Sequence, residues 1–166
     1  MPLETATIDL AEEVDRLDDR LDDLADEAAS IAEDNPHMSV VERMAETVDS
    51  RRRGVTWALE TWDVDAITLS GLTGGEYAQV EDNLAGASGP IPGSSRIWMV
   101  ARGTVDAPYV ADDLEATVAN VADLPLDYQQ WAYARINDMT TVGEGNLSGF
   151  WQRVEERRQP EDTTES

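Results

Sequence analysis

The side chains able to do chemistry in this 166-residue sequence are carboxylates, scattered serines and threonines, and one histidine, His37. Cysteine is absent, which removes disulfide frameworks, thiolate metal sites and thiol nucleophiles together. His37 follows Pro36 in a linker with no second histidine to complete a ligand set, and it reads as a solvated side chain. The acid pairs Asp112-Asp113 and Glu155-Glu156 are adjacent in sequence, so on a helix they diverge instead of converging on one substrate. Asp63-Val64-Asp65 lacks the remainder of a D-x-D-x-D-G calcium loop. The Gly86 to Ser95 stretch, GASGPIPGSS, has neither the order nor the lysine of a phosphate-binding loop and reads as a connector. Together these residues point to a protein that is not an enzyme and takes no metal or cofactor.

Arg51, Arg52 and Arg53 form one basic cluster. It could dock phosphate or an acidic partner. The preferred reading places it at a helix C-terminus, where each cation complements the helix dipole by about 0.3–1 kcal/mol and pairs with nearby acids.

The charge balance is extreme. The sequence has 19 Asp, 16 Glu and 12 Arg with no Lys, for a net charge of −23. Self-repulsion of this size opposes compaction in dilute buffer and is damped in molar salt, where the Debye length falls to roughly 3 Å. The acidic, lysine-free composition resembles that of proteins from extremely halophilic archaea, the plainer alternative being an acidic mesophilic protein. It also argues against nucleic acid and anionic membranes as partners. No apolar run approaches the roughly 20 residues of a membrane span, and MPLETATIDL lacks the basic and apolar regions of a signal peptide, so an intracellular location is expected.

Stepping along the chain, the apolar residues Leu10, Val14, Leu17, Leu21, Leu24, Ala28 and Ile31 follow an unbroken 4-3 spacing that predicts a heptad helix. Glu12, Glu13, Asp15, Asp18, Asp19, Asp22, Asp23 and Asp26 are assigned to its solvated face. The seam could pack within the chain, against another protein, or against a second copy through residues 10–31. Facing charges in a parallel pair offer no attraction that would fix a register. Asn35-Pro36 is expected to end this helix. A capping box at Ser39 and Glu42 is expected to open a second helix, stopped by Gly54.

Val55 to Trp62 alternates and predicts a strand, which Asp63-Val64-Asp65 would join to a strand at Ala66 to Ser70 as an antiparallel hairpin. Thr73 and Glu76 form a capping box for a helix over 74–85 with Tyr77, Val80 and Leu84 on one face. Further helices are predicted from RIWMVARG up to Gly103, around Leu114, Val118 and Val121 with Asp112 or Asp113 as cap, and from Asp127 as cap through Trp131, Ala134 and Ile136. A final helix carries Phe150, Trp151 and Val154. The expected fold is mostly α with one antiparallel β-hairpin: an acidic heptad helix over 1–36, a helical domain over 37–158 with the hairpin at about 55–70, and a polar, disordered tail over 159–166.

The order of parts over roughly residues 55–140 resembles the tail assembly chaperones of tailed phages: a strand hairpin, Leu72-Thr73 with Glu76 opening a helix, Val105, Ala107 and Pro108 after a short apolar helix, then Asp123-Leu124-Pro125 and Arg135 to Met139. The resemblance implies a small non-enzymatic protein that binds the tape measure protein during viral tail assembly, in the cytoplasm of the host cell. With the acidic composition, it implies a tailed virus or provirus of a halophilic archaeon. The added N-terminal heptad helix leaves open a second role, as a tail or capsid component retained in the virion. Side chains expected to meet a partner are Leu10, Val14, Leu17, Leu21, Leu24 and Ile31 on the heptad seam, and Trp98, Trp131 and Trp151 among the five tryptophans, some of which could line a groove for an apolar helix.

Overall fold

The computed structural model describes residues 4–87, 93–140 and 148–158. It is mostly helical with a small antiparallel sheet, as expected; of the hairpin expected at 55–70 the strand Ala66–Ser70 is present and the strand at 55–62 is not. In chain order the elements are β1 (Thr5–Asp9), α1 (Leu10–Ser30), α2 (His37–Thr61), β2 (Ala66–Ser70), α3 (Gly74–Ala85), α4 (Ser95–Gly103), β3 (Thr104–Asp106), α5 (Leu114–Ala122), α6 (Leu126–Thr140) and α7 (Ser148–Arg158).

Strand β2 is central and pairs antiparallel with β1 on one side and β3 on the other. Ile8 sits opposite Ile67 and Ala6 opposite Leu69, which puts the apolar side chains on the inner face. Thr7 and Thr68 pair on the outer face, where their hydroxyls lie 3.0 Å apart. Strand β1 is missing from the sequence-based expectation although TATID alternates, because the alternation is five residues long and rests on one large apolar side chain, Ile8. It runs straight into α1, where the Asp9 carboxylate accepts from the Glu12 N–H at 2.9 Å and caps the helix.

The predicted strand at 55–62 is the second half of α2, a 25-residue helix that Gly54 does not stop. The run Val55-Thr56-Trp57-Ala58-Leu59 satisfies a period of two, yet Val41, Val48, Val55 and Trp62 recur every seven residues and continue the helical stripe. Gly54 is used for its lack of a side chain: a Cβ there would lie 2.5 Å from the backbone of Asp127 and Tyr128, so α2 and α6 touch through their main chains at this point. Other boundaries shift as well. Helix α1 ends at Ser30, ahead of Asn35-Pro36. Helix α2 starts at His37 without the Ser39 and Glu42 capping box, Ser39 donating instead to the Pro36 carbonyl. Asp127 lies inside the first turn of α6, where it accepts from the Ser50 hydroxyl at 2.6 Å.

The capping box of Thr73 and Glu76 is formed as expected, and Asp113 caps α5 by accepting from the Ala116 N–H at 2.7 Å. The break at Gly143 to Gly145, the tail over 159–166 and part of the Gly86 to Ser95 connector lie outside the described residues.

Strand β1 and helix α1 are not set apart from the rest. Ile8, Leu10 and Leu17 join one hydrophobic core with Leu69, Leu72, Val80, Trp98, Val118 and Trp131. Helices α1 and α2 form an antiparallel hairpin, tied by Leu10 N–H to the Asp65 carbonyl at its base, by Arg52 to Asp18 midway, and by His37 to Glu27 at its tip. Helix α6 packs along the lower half of α2, and α4 fills the centre, with Ile97 to Ala101 all buried.

Candidate functional site

A seven-residue repeat on α1 must be covered by something, and α2 of the same chain covers it. Leu10, Leu17 and Leu24 are buried, and Val14, Leu21 and Ile31 are half-buried. Trp98 and Trp131 are buried core residues. Of the side chains predicted to meet a partner, Trp151 alone is exposed, at 53 %, beside Phe150 at 54 %. Their rings pack edge to face with centroids 5.3 Å apart on α7, outside the core.

The arginine cluster lies in the middle of α2, not at its end, so dipole complementarity does not apply and pairing does. Arg52 bonds Asp18, and Arg53 reaches Asp49 at 3.3 Å and Asp127 at 3.4 Å. Arg51 turns to a cleft between α2 and α6. The two helices run antiparallel, meet at Gly54 and diverge from there, with Ser50 against Asp127 and Gln130 at the narrow end. The opening holds about 550 Å³. It is walled by Glu46, Thr47, Ser50 and Arg51 on α2, and by Gln130, Tyr133, Ala134, Asn137 and Asp138 on α6. An adjoining hollow shares Thr47 and Arg51 with the cleft and is lined besides by Arg20, Arg43, Met44 and Val48, so the exposed Met44 stands among three arginines.

Behind the α6 wall sits a polar contact the sequence reading missed. Glu13, assigned to the solvated face, is only 5 % exposed. Its carboxylate accepts from Trp131 Nε1–H at 3.2 Å and from Arg16 Nε at 3.2 Å. Burial acts to raise the Glu13 carboxyl, but the Arg16 and Trp131 hydrogen bonds and the positive charges of Arg16 and Arg135 outweigh it and hold it below the ordinary value. One signal was available: Leu10, Glu13 and Leu17 fall on one helical stripe, with Arg16 three residues on from Glu13.

Elsewhere the Tyr109 and Tyr128 hydroxyls lie 2.8 Å apart in the core, and Tyr109 also bonds Thr104 at 2.8 Å. Burial pushes Tyr109 up to about 12 despite those bonds, and raises Tyr128 as well. Neither hydroxyl opens on the cleft, and both belong to packing of Trp57, Trp62 and Trp131 around them.

No family model, curated protein or solved structure matches this chain. Among the described residues no three His, Asp or Glu side chains are grouped to hold a metal ion, and no helix is long and apolar enough to cross a membrane. The cleft is an open, mixed polar and apolar trough between two helices, of a shape suited to receive a third.

Proposed function

We propose that this protein is a non-catalytic binding protein that takes a helix of its partner into the α2–α6 cleft, and that it serves as a tail assembly chaperone for the tape measure protein of a tailed virus or provirus with a halophilic archaeal host. The observation that carries the binding role is the trough that α2 and α6 leave beyond their backbone contact at Gly54, with Tyr133 and Ala134 on one wall. The identity of the partner rests on the sequence resemblance around Leu72, Thr73, Glu76 and Arg135 to Met139. The halophilic host rests on the net charge of −23 without lysine. Action in the host cytoplasm follows from the same reading.

Pull-down with the tape measure protein in molar KCl tests it. The wild-type chain is expected to retain it, and Ala134→Arg, which fills the trough, is expected to release it. Failure of the wild type to bind would remove the chaperone reading. Abundant copies in purified virions would replace it with a structural role.

A further inference from the structure

Three of the chain's 12 arginines, Arg153, Arg157 and Arg158, lie on the 11-residue helix α7. At about 100° per residue, Phe150, Val154 and Trp151 form one apolar stripe, with Arg158 inside its span and Arg157 and Arg153 along one border. Against two glutamates, α7 is net positive, whereas the remainder of the chain is strongly negative. An aromatic stripe framed by guanidinium groups is thus left exposed on a molecule of strongly negative net charge.

We infer that α7 of one copy seats in the α2–α6 cleft of a second copy, making a reciprocal two-fold dimer. Charge favours it: Glu46 and Asp138 stand on the two cleft walls against one cation, Arg51, so the cleft is net negative where α7 is net positive. Length agrees, because Phe150 to Arg158 and Gln130 to Asp138 each take in nine residues, about 12 Å of helix from first to last. Apolar surface agrees, since Tyr133 and Ala134 in the cleft offer cover for the exposed halves of Phe150 and Trp151. A two-fold arrangement lets each copy supply one helix and one cleft, so both exposed surfaces close together. The heptad stripe of α1, already covered within the chain, takes no part. The dimer does not depend on which partner the cleft serves, but it predicts that partner and second copy compete for one site.

The test uses the full chain alone in molar KCl, where repulsion between two copies of charge −23 is screened. Light scattering over a concentration series is expected to show a dimer, and the double variant Phe150→Ser, Trp151→Ser is expected to weaken it at least tenfold with unchanged circular dichroism, because α7 lies outside the core. The chain has no cysteine, so Ala134→Cys with Val154→Cys provides a clean trap: oxidation is expected to join two chains, and neither single variant is expected to give the same yield. A monomer at every concentration, a dimer indifferent to the double variant, or a crosslink closed within one chain would overturn the inference.

Discussion

Trp131 on α6 donates its indole N–H to the Glu13 carboxylate on α1 across 3.2 Å, joining residues 118 positions apart in the sequence. This contact holds the N-terminal helix against the helix that forms one wall of the cleft. It also gives a pH signature. A carboxyl held below its ordinary value of 4.5 stabilises the fold fully above the unfolded-state value, and that contribution is lost as pH falls through the folded-state value. Glu13→Gln is expected to lower stability at pH 7 by about 1.5–3 kcal/mol, the range for hydrogen bonds to charged groups. The gap between variant and wild type should narrow below pH 4.5. Denaturant titrations at a series of pH values check it, and a gap that stays constant into acid would contradict the charged role of Glu13.

Gly54→Ala offers a test of sign. In an exposed helix interior the change would stabilise by roughly 1 kcal/mol. Here the added methyl meets Asp127 and Tyr128 backbone at 2.5 Å, and backbone cannot yield as a flexible side chain can. A loss of about 1–3 kcal/mol is expected, in the range for overpacked sites. Thermal melts in molar salt decide it, and a gain in stability would mean that α2 and α6 do not touch there.

Thr73→Ala removes half of the reciprocal cap on α3, in which Thr73 accepts from Glu76 N–H at 3.2 Å and Glu76 accepts from Thr73 N–H at 3.0 Å. A cost of about 1 kcal/mol is expected. Equal denaturation midpoints for variant and wild type would show that the cap contributes nothing.

What could be read from the sequence was local. Thr73 with Glu76 and Asp113 before Leu114 are contacts within three residues, and their type and spacing determine them. The heptad helix and the apolar run ending at Gly103 were legible for the same reason. Gly54 was misread because a glycine that ends a helix and one that admits a neighbouring backbone look alike until Asp127, 73 positions on, is in place. Strand β1 depends on pairing Ile8 with Ile67; the short alternation of TATID is compatible with a strand but does not name that partner. The cleft was illegible because it is a consequence of that glycine contact: side chains on α2 and α6 come to face one another only once Gly54 has fixed where the helices meet. The possibility that some tryptophans line a groove was open in the sequence, and the fold places Trp98 and Trp131 in the core while leaving Trp151 outside.

Salt should set the stability of the whole molecule. With net charge −23, screening from a Debye length of roughly 10 Å at 0.1 M to 3 Å at 1 M relieves repulsion that the folded state feels more than the unfolded chain. The midpoint of thermal unfolding is expected to rise steadily with KCl. An unchanged midpoint between 0.1 and 2 M KCl would remove the link between composition and a saline environment; these two concentrations are chosen to span about a fourfold change in screening length.

The most direct test of the central claim is calorimetric titration of the full chain with the tape measure protein in molar KCl, comparing wild type with Ala134→Arg at equal folded content. Saturable binding by the wild type is expected, and at least tenfold weaker binding by the variant, whose added side chain stands in the α2–α6 cleft. No heat of binding for the wild type, or equal affinity for both proteins, would contradict it.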